Sequence, residues 1–297
     1  MPSVLLDRRL TPAREDLAAE HLRGIVDAPR YAEGRPMQVK AASAPLRRSP
    51  DAGAPLETEA LRGETVTVYD ESGGWAWAQL DRDGYVGYLP LAALGRPVEA
   101  THQVAAIRTH VYPGPSVKSP PLAALSLGAR LTIVREEGEF AIADDGGHLW
   151  ARHLAEVGAR EADFVAVAES FLHTPYLWGG RTSEGIDCSG LIQTALSAAG
   201  IPSPRDSDMM ETTLGRPVAA DDPATPLRRA DLVFWKGHVG ILRDVRTLLH
   251  ANGWHMKVAS EPLSEARERI AAAGGGGVTS VRRLLEGRRR EAPDRRL

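Results

Sequence analysis

The sequence predicts an α+β protein built in series, with small antiparallel β-barrels first and then a domain in which helices precede an antiparallel sheet. Three observations carry this. The chain has 297 residues, 43% of them hydrophobic, enough for two or three cores rather than one. From Met37 to about Val157, short β-like runs alternate with glycine-containing turns. From Ala162 onward the apolar positions recur with the period of a helix.

Taken in order, residues 1–35 hold a helical-looking segment, Pro12 to Val26, with polar ends. Residues 36–100 contain MQVKAA, a proline-rich loop, ETVTVYD, WAWAQLD and YVGYLPL, the strands of a first small barrel. Residues 101–158 repeat the plan more loosely, with GARLTIVRE, GEFAIAD and HLWARHLAEV, and predict a second. Both stretches place a glycine before a strand (RGETVTVY, LGARLTIV) and close on a leucine-rich run. In residues 159–285, DFVAVAESFLHT has helical spacing at Phe164, Val167, Ala168 and Phe171. CSGLIQTALSAAG predicts a second helix, with Asp187 or the residue before it as N-cap and Gly200 as its stop. The runs DLVFW, HVGIL and TLLHA then read as antiparallel strands. Residues 286–297 form a basic stretch that reads as a solvated tail.

Composition narrows the function. With 36 basic and 39 acidic residues the net charge is −3, so no field announces a nucleic-acid partner. No apolar stretch reaches membrane-spanning length, and charges interrupt the first residues before a signal-peptide core can form. The expectation is a cytoplasmic protein with no membrane partner. A single cysteine excludes an internal disulfide.

That cysteine is where chemistry converges. Cys188 would sit in the first turn of its helix, where free N–H groups and the helix dipole favour an anion. A thiol still needs a base to become a nucleophile. His238 opens the strand HVGIL, and His250 follows twelve positions on in TLLHA. Paired as a hairpin, these strands bring the imidazoles together, so that His238 takes the proton and His250 orients it. His255 competes for the orienting role on sequence alone. The backbone N–H of Cys188 is a ready oxyanion donor. The nine histidines lack paired ligand spacing, so no metal is expected, and no cofactor either. The Gly274–Gly277 run lacks the Lys-Ser/Thr of a phosphate loop and reads as a turn.

YLWGGRTSEGIDCSGLIQTAL resembles the nucleophile segment of the papain-like, NlpC-type murein cysteine peptidases, which cleave γ-D-glutamyl bonds of cell-wall peptides. PRDSDMM resembles that family's Arg-Asp-Ser element, and DLVFWKGHVGIL with LLHA its two histidine strands. The resemblance spans about residues 160 to 285. It implies a papain-like domain with Cys188 as nucleophile, His238 as base and His250, not His255, as the orienting residue.

Two bacterial SH3-like barrels ahead of such a domain resemble the dipeptidyl-peptidase VI subgroup of γ-D-glutamyl-L-diamino acid endopeptidases. That likeness implies release of L-Ala-γ-D-Glu from murein tripeptides or tetrapeptides with a free N-terminal alanine. It implies a substrate pocket closed by Tyr85, with Tyr88 as runner-up, and a contribution from Glu57 or Glu59. Asp187, Ser189, Asp206, Ser207 and Trp178 are implied as further substrate contacts, with Asp187 and the Asp206-Ser207 pair at the substrate's amine end. The second barrel ends in HLWARHL instead of a glycine-aromatic-valine close, which favours a spacer role. An amidase or acyltransferase of the same papain-like group would carry the same three catalytic residues. A non-catalytic wall-binding module would share the barrels without needing the three.

Overall fold

A computed structural model describes residues 6–219 and 225–284; the basic tail lies outside them. Residues 12–26 are not helical. Ala13–Arg14 and Leu17–Ala19 are short strands, followed by a 3-10 turn at Glu20–Leu22. The reason is tertiary. Leu17–Ala19 is buried between Ala13–Arg14 and Tyr31–Ala32, whose backbones it pairs with, and Ala18 and Ala19 pack near Tyr31 and Tyr69. The charged residues are tied outward: Arg14 pairs with Asp16 and Asp70 and lies over the Trp77 ring.

The first barrel is a seven-stranded antiparallel sheet. In spatial order its strands are Leu94–Gly95, Arg35–Val39, Thr65–Ser72, Trp75–Leu80, Val86–Pro90, Ser43–Arg47 and Leu56–Leu61. Alternation along Thr65–Ser72 and Ser43–Arg47 sends Val66, Val68, Ala44 and Leu46 into its core. Residues 102–156 make three smaller antiparallel sheets around Val104, Val111, Leu125, Leu131 and Leu149. Leu61 of the first barrel joins that core, so the two β units share a seam.

The remaining domain follows the expected order. Helix α1 is Phe164–Ser170, capped by Asp163; α2 is Cys188–Ala198, capped by Asp187; α3 is Ser207–Thr213; α4 is Leu263–Ala272. Gly200 has φ +72°, as a residue that ends a helix does. The strands form a six-stranded antiparallel sheet, in order Arg216–Val218, Ser280–Arg283, Leu232–Trp235, His238–Leu242, Thr247–Asn252 and Lys257–Pro262. Residues Cys188 to Leu196 of α2 are buried on every side, against α1 and the His238–Leu242 strand. The nucleophile helix is therefore a core element. Among the described residues no helix is long and apolar enough to cross a membrane.

Candidate active site

Cys188 is the first residue of α2 and 8% exposed. Its turn is fixed by Asp187, whose Oδ1 accepts the Gly190 N–H at 2.7 Å and whose Oδ2 accepts the Gly179 N–H at 2.8 Å. A side chain at Gly190 would meet the Gly180 carbonyl at 2.4 Å, so the chain before the nucleophile approaches the helix as only glycine allows. Burial, then the Asp187 charge, pushes the thiol up to about 12; the Val239 and Ser189 N–H groups and Arg205 work the other way. The thiol thus lies beside the strand that begins at His238.

The hairpin brings the histidines together as expected. His238 Nε2 and His250 Nδ1 are 2.8 Å apart, and His250 Nε2 is 2.7 Å from Oε1 of Glu261. Glu261 was not singled out from the sequence. Its strand pairs with that of His250, with Ala259 opposite His250, so Glu261 is a diagonal neighbour. The chain of bonds fixes the tautomers. A carboxylate only accepts, so His250 donates from Nε2 and, when neutral, accepts at Nδ1. His238 then donates from Nε2, and its lone pair is on Nδ1. Burial, then His250 and Arg269, pushes His238 down to about 3. Burial works upward on Glu261, but the hydrogen bonds from His250 and Arg269 prevail and hold it at about 2. Burial thus favours a neutral thiol and a neutral imidazole, with a fixed negative charge behind them.

His255 hydrogen-bonds Asn252 instead of joining this line. The ligand atoms of His250, His255 and Glu261 do lie within 4.8 Å of one another. Arg269 already supplies a positive charge to Glu261, and His250 is bonded on both sides, so these donors are engaged without an ion.

A cavity of about 450 Å³ opens over Cys188, walled by Tyr176, Trp178, Asp206 and Ser207 on one side and by Arg48, Glu57 and Tyr85 of the first barrel on the other. Trp178 stands at its edge, 67% exposed. Tyr85 is 2% exposed; its hydroxyl lies 3.2 Å from Glu57 Oε2 and 3.1 Å from Asp206 Oδ2. One phenolic proton cannot satisfy two carboxylates, so this corner is rich in acceptors. Burial, then Asp206 and Glu57, raises the phenol and keeps it protonated. Burial also raises Asp206, against Arg205, Arg9 and Tyr85. Glu59 faces away and accepts the Arg181 N–H at 2.8 Å, which separates it from Glu57. Tyr88 lies on the barrel surface beside Trp75 and Trp77, outside the Cys188 cavity.

Asp187 and Ser189 border the cavity, yet their polar atoms are spent within the protein. Arg205 donates Nη1 to Asp187 Oδ1 at 2.9 Å, Nη2 to Asp187 Oδ2 at 2.7 Å, and Nη1 to Ser189 Oγ at 2.8 Å. With its helix-cap bonds added, the Asp187 carboxylate is neutralised and saturated by groups of the protein itself. Arg205 itself donates Nε to Thr58 Oγ1 of the first barrel at 2.8 Å. Tyr176, in the nucleophile motif but assigned no role from sequence, lines the same cavity as Cys188, and its phenol is raised by burial, then by Cys188 and Asp187, which keeps it protonated.

Comparison with known proteins places the two parts of the chain in known domain families. Residues 46–94 match the bacterial dipeptidyl-peptidase SH3 domain and residues 173–270 the NlpC/P60 family. The chain is 27% identical over 218 residues to a γ-D-glutamyl-L-lysine dipeptidyl-peptidase of Bacillus subtilis, covering 66% of this chain and 72% of that one. To the protein of the same name from Bacillus cereus it is 29% identical over 242 residues, covering 70% and 71%. A solved NlpC/P60 family protein from Bacillus cereus superposes with a TM-score of 0.69 at 23% identity, over 85% of this chain and 100% of that one, which establishes the fold. The chain therefore joins a bacterial dipeptidyl-peptidase SH3 domain to an NlpC/P60 family peptidase domain.

Proposed function

We propose that this peptidase hydrolyses the γ-D-glutamyl–diamino acid bond of murein peptides that carry a free N-terminal L-alanine, releasing L-Ala-γ-D-Glu. One observation carries the reading: the cavity over Cys188 ends in the Glu57–Tyr85–Asp206 corner, where two carboxylates share one phenolic proton. An ammonium group brings three donors and a positive charge to these acceptors, beside Arg48 on Glu57 and Arg9 on Asp206. The named activity of the Bacillus relatives supports the same bond.

In this reading His238 Nδ1 accepts the thiol proton as Cys188 Sγ attacks the γ-carbonyl carbon of D-glutamate. The oxyanion receives hydrogen bonds from the Cys188 N–H at the start of α2 and from the Tyr176 hydroxyl. His238 then gives its proton to the leaving amine, so the C–N bond breaks and a thioester remains. Water, deprotonated by His238, releases the dipeptide and restores the thiol. His250 and Glu261 hold the imidazole in the required tautomer and stabilise its protonated form. Ser207 and Trp178 complete the substrate wall. The second β unit is a further SH3-like barrel serving as a spacer, and the setting is cytoplasmic peptide recycling, which fractionation of the native cells would check.

The decisive comparison is L-Ala-γ-D-Glu-diaminopimelate against its N-acetyl form and against the peptide still joined to muramic acid, with the lysine analogue in parallel. Losing one partner of a desolvated charge pair costs about 3–5 kcal/mol, so kcat/KM for blocked peptides should fall at least about a hundredfold. Equal cleavage of free and blocked peptides leaves a general γ-glutamyl endopeptidase in its place.

A further inference from the structure

The amine corner has a fourth member that comes from the far end of the chain. Residues 7–11 run as a strap along the first barrel, where the Val86 N–H donates to the Arg9 carbonyl at 2.8 Å and Gln79 Nε2 to the Leu10 carbonyl at 3.0 Å. This anchors Arg9 next to Tyr85. From there its guanidinium crosses to the peptidase domain. Nη1 donates to Asp206 Oδ2 at 2.8 Å and to Asp208 Oδ1 at 2.9 Å, and Nη2 to Asp208 Oδ2 at 2.8 Å. Asp7 closes the other side of the guanidinium. Asp206 sits at the N-cap of α3 but makes no side-chain cap bond, since its carboxylate is turned to the strap and Tyr85. Its Oδ2 thereby takes two donors, while Oδ1 has no hydrogen-bond partner among the described residues.

We propose that Arg9 is a specificity-determining positioning residue of the amine subsite, holding Asp206 away from the helix cap, ionised, and with Oδ1 presented to the incoming ammonium. This rests on the free-amine reading above. The charged and titratable groups around Asp206 are Arg205 beside it, Asp208 on α3, Arg8 and Arg9 on the strap, Glu57, Tyr85 and Arg48 of the first barrel, and Tyr176, Asp187 and Cys188 of the nucleophile segment. Burial alone raises the Asp206 carboxyl, and Arg9 is one of the cations opposing it. Without Arg9, Asp206 protonates at higher pH, so the acid limb of kcat/KM moves upward in pH.

The test uses the full chain and steady-state kinetics across pH. Arg9→Gln should raise KM for the free-amine tripeptide about tenfold to a hundredfold with kcat changed little, and should shrink the preference over the N-acetyl peptide. Its acid limb should shift to higher pH, and Arg9→Lys should recover most of both. Asp208→Asn, which loosens the strap but leaves the Arg9–Asp206 bond available, should move the acid limb less than Arg9→Gln does. If Arg9→Gln keeps the acid limb and the preference, or if Asp208→Asn reproduces the whole loss, Arg9 is merely a tether and the inference is wrong. Should the unaltered enzyme itself cleave free and acetylated peptides equally, it is the free-amine reading that fails.

Discussion

The first barrel and the second β unit close in the same way, yet only the first reaches Cys188. In the first, Val86–Pro90 leads through a 3-10 turn at Leu91–Ala93 to a short strand that pairs back onto Arg35–Val39. In the second, His148–Trp150 leads through a 3-10 turn at Ala151–His153 to a strand that pairs back onto His102–Val104. The side chains on this common frame differ. The first barrel sends Glu57, Thr58 and Tyr85 to the peptidase domain, where they meet Asp206 and the buried Arg205. Its Leu56 carbonyl comes so close that a side chain at Gly179 would sit 2.6 Å from it. The second unit meets the peptidase domain away from the cavity, through Leu127 and Ile107 against the core built around α1 and α2, and through Arg108 and Ser126 on Ser183 of the hairpin Arg181–Ile186. The first barrel forms a wall of the cavity over Cys188, and the second β unit a buttress behind the chain that leads into the nucleophile. A similar closing turn, then, says little about role; the facing side chains decide it.

The comparison presupposes that the chemistry lies in neither barrel, and the largest expected effect tests that. Cys188→Ser should reduce turnover of the tripeptide to background while leaving the fold intact, because an unassisted hydroxyl offers almost no nucleophilic anion beside a base set for a thiol. His238→Ala should be comparably damaging. His250→Ala should retain more activity, since it orients the base without carrying the substrate's proton. An unchanged rate in the serine variant, measured on purified peptide, would remove Cys188 from the mechanism.

The wall itself is tested next. Tyr85→Phe keeps the ring in its buried slot and removes only the hydroxyl between Glu57 and Asp206. A lost hydrogen bond to a charged group costs about 1.5–3 kcal/mol, which is roughly one to two powers of ten in kcat/KM. Thermal unfolding should barely move. A Phe variant as active as the parent would mean that the first barrel is as remote from the chemistry as the second.

What could be read from the sequence follows from how local each feature is. Cys188, its Asp187 cap, and the His238–His250 hairpin are set by neighbours along the chain, and all three are where residue spacing puts them. Partners distant in sequence leave no such trace: Arg9 meets Asp206 across 197 positions. Glu261 is visible only once strand register is known, because it reaches His250 diagonally from the neighbouring strand. The saturation of Asp187 by Arg205 was hidden for the same reason, since the Arg-Asp-Ser element shows an arginine but not which carboxylate it meets. The misread segment at 12–26 shows the converse. Its short apolar run suited a helix locally, and burial of Leu17, Ala18 and Ala19 together outweighed that preference.

The smallest effect is the most informative about the buttress. Arg108 donates Nε to Ser183 Oγ at 3.0 Å and Nη2 to the Ser183 carbonyl at 2.7 Å, and pairs with the exposed Glu184. Its side chain is 41% exposed, so the pair with Glu184 contributes little in water, and the two bonds to Ser183 are what an alanine would remove. Arg108→Ala should therefore lower stability by about 1 kcal/mol, read as a shift in the urea midpoint with an unchanged slope. The hairpin it braces is also held by Ser126, whose hydroxyl accepts the Ser183 N–H at 3.1 Å, and by Arg181 to Glu59 and Glu64 of the first barrel. With those contacts in place the position of Cys188 should not change, and kcat/KM should stay within about twofold of the parent. A loss in kcat/KM as deep as that of Tyr85→Phe, without a matching loss of stability, would show that the second unit also shapes the site and would dissolve the distinction between wall and buttress.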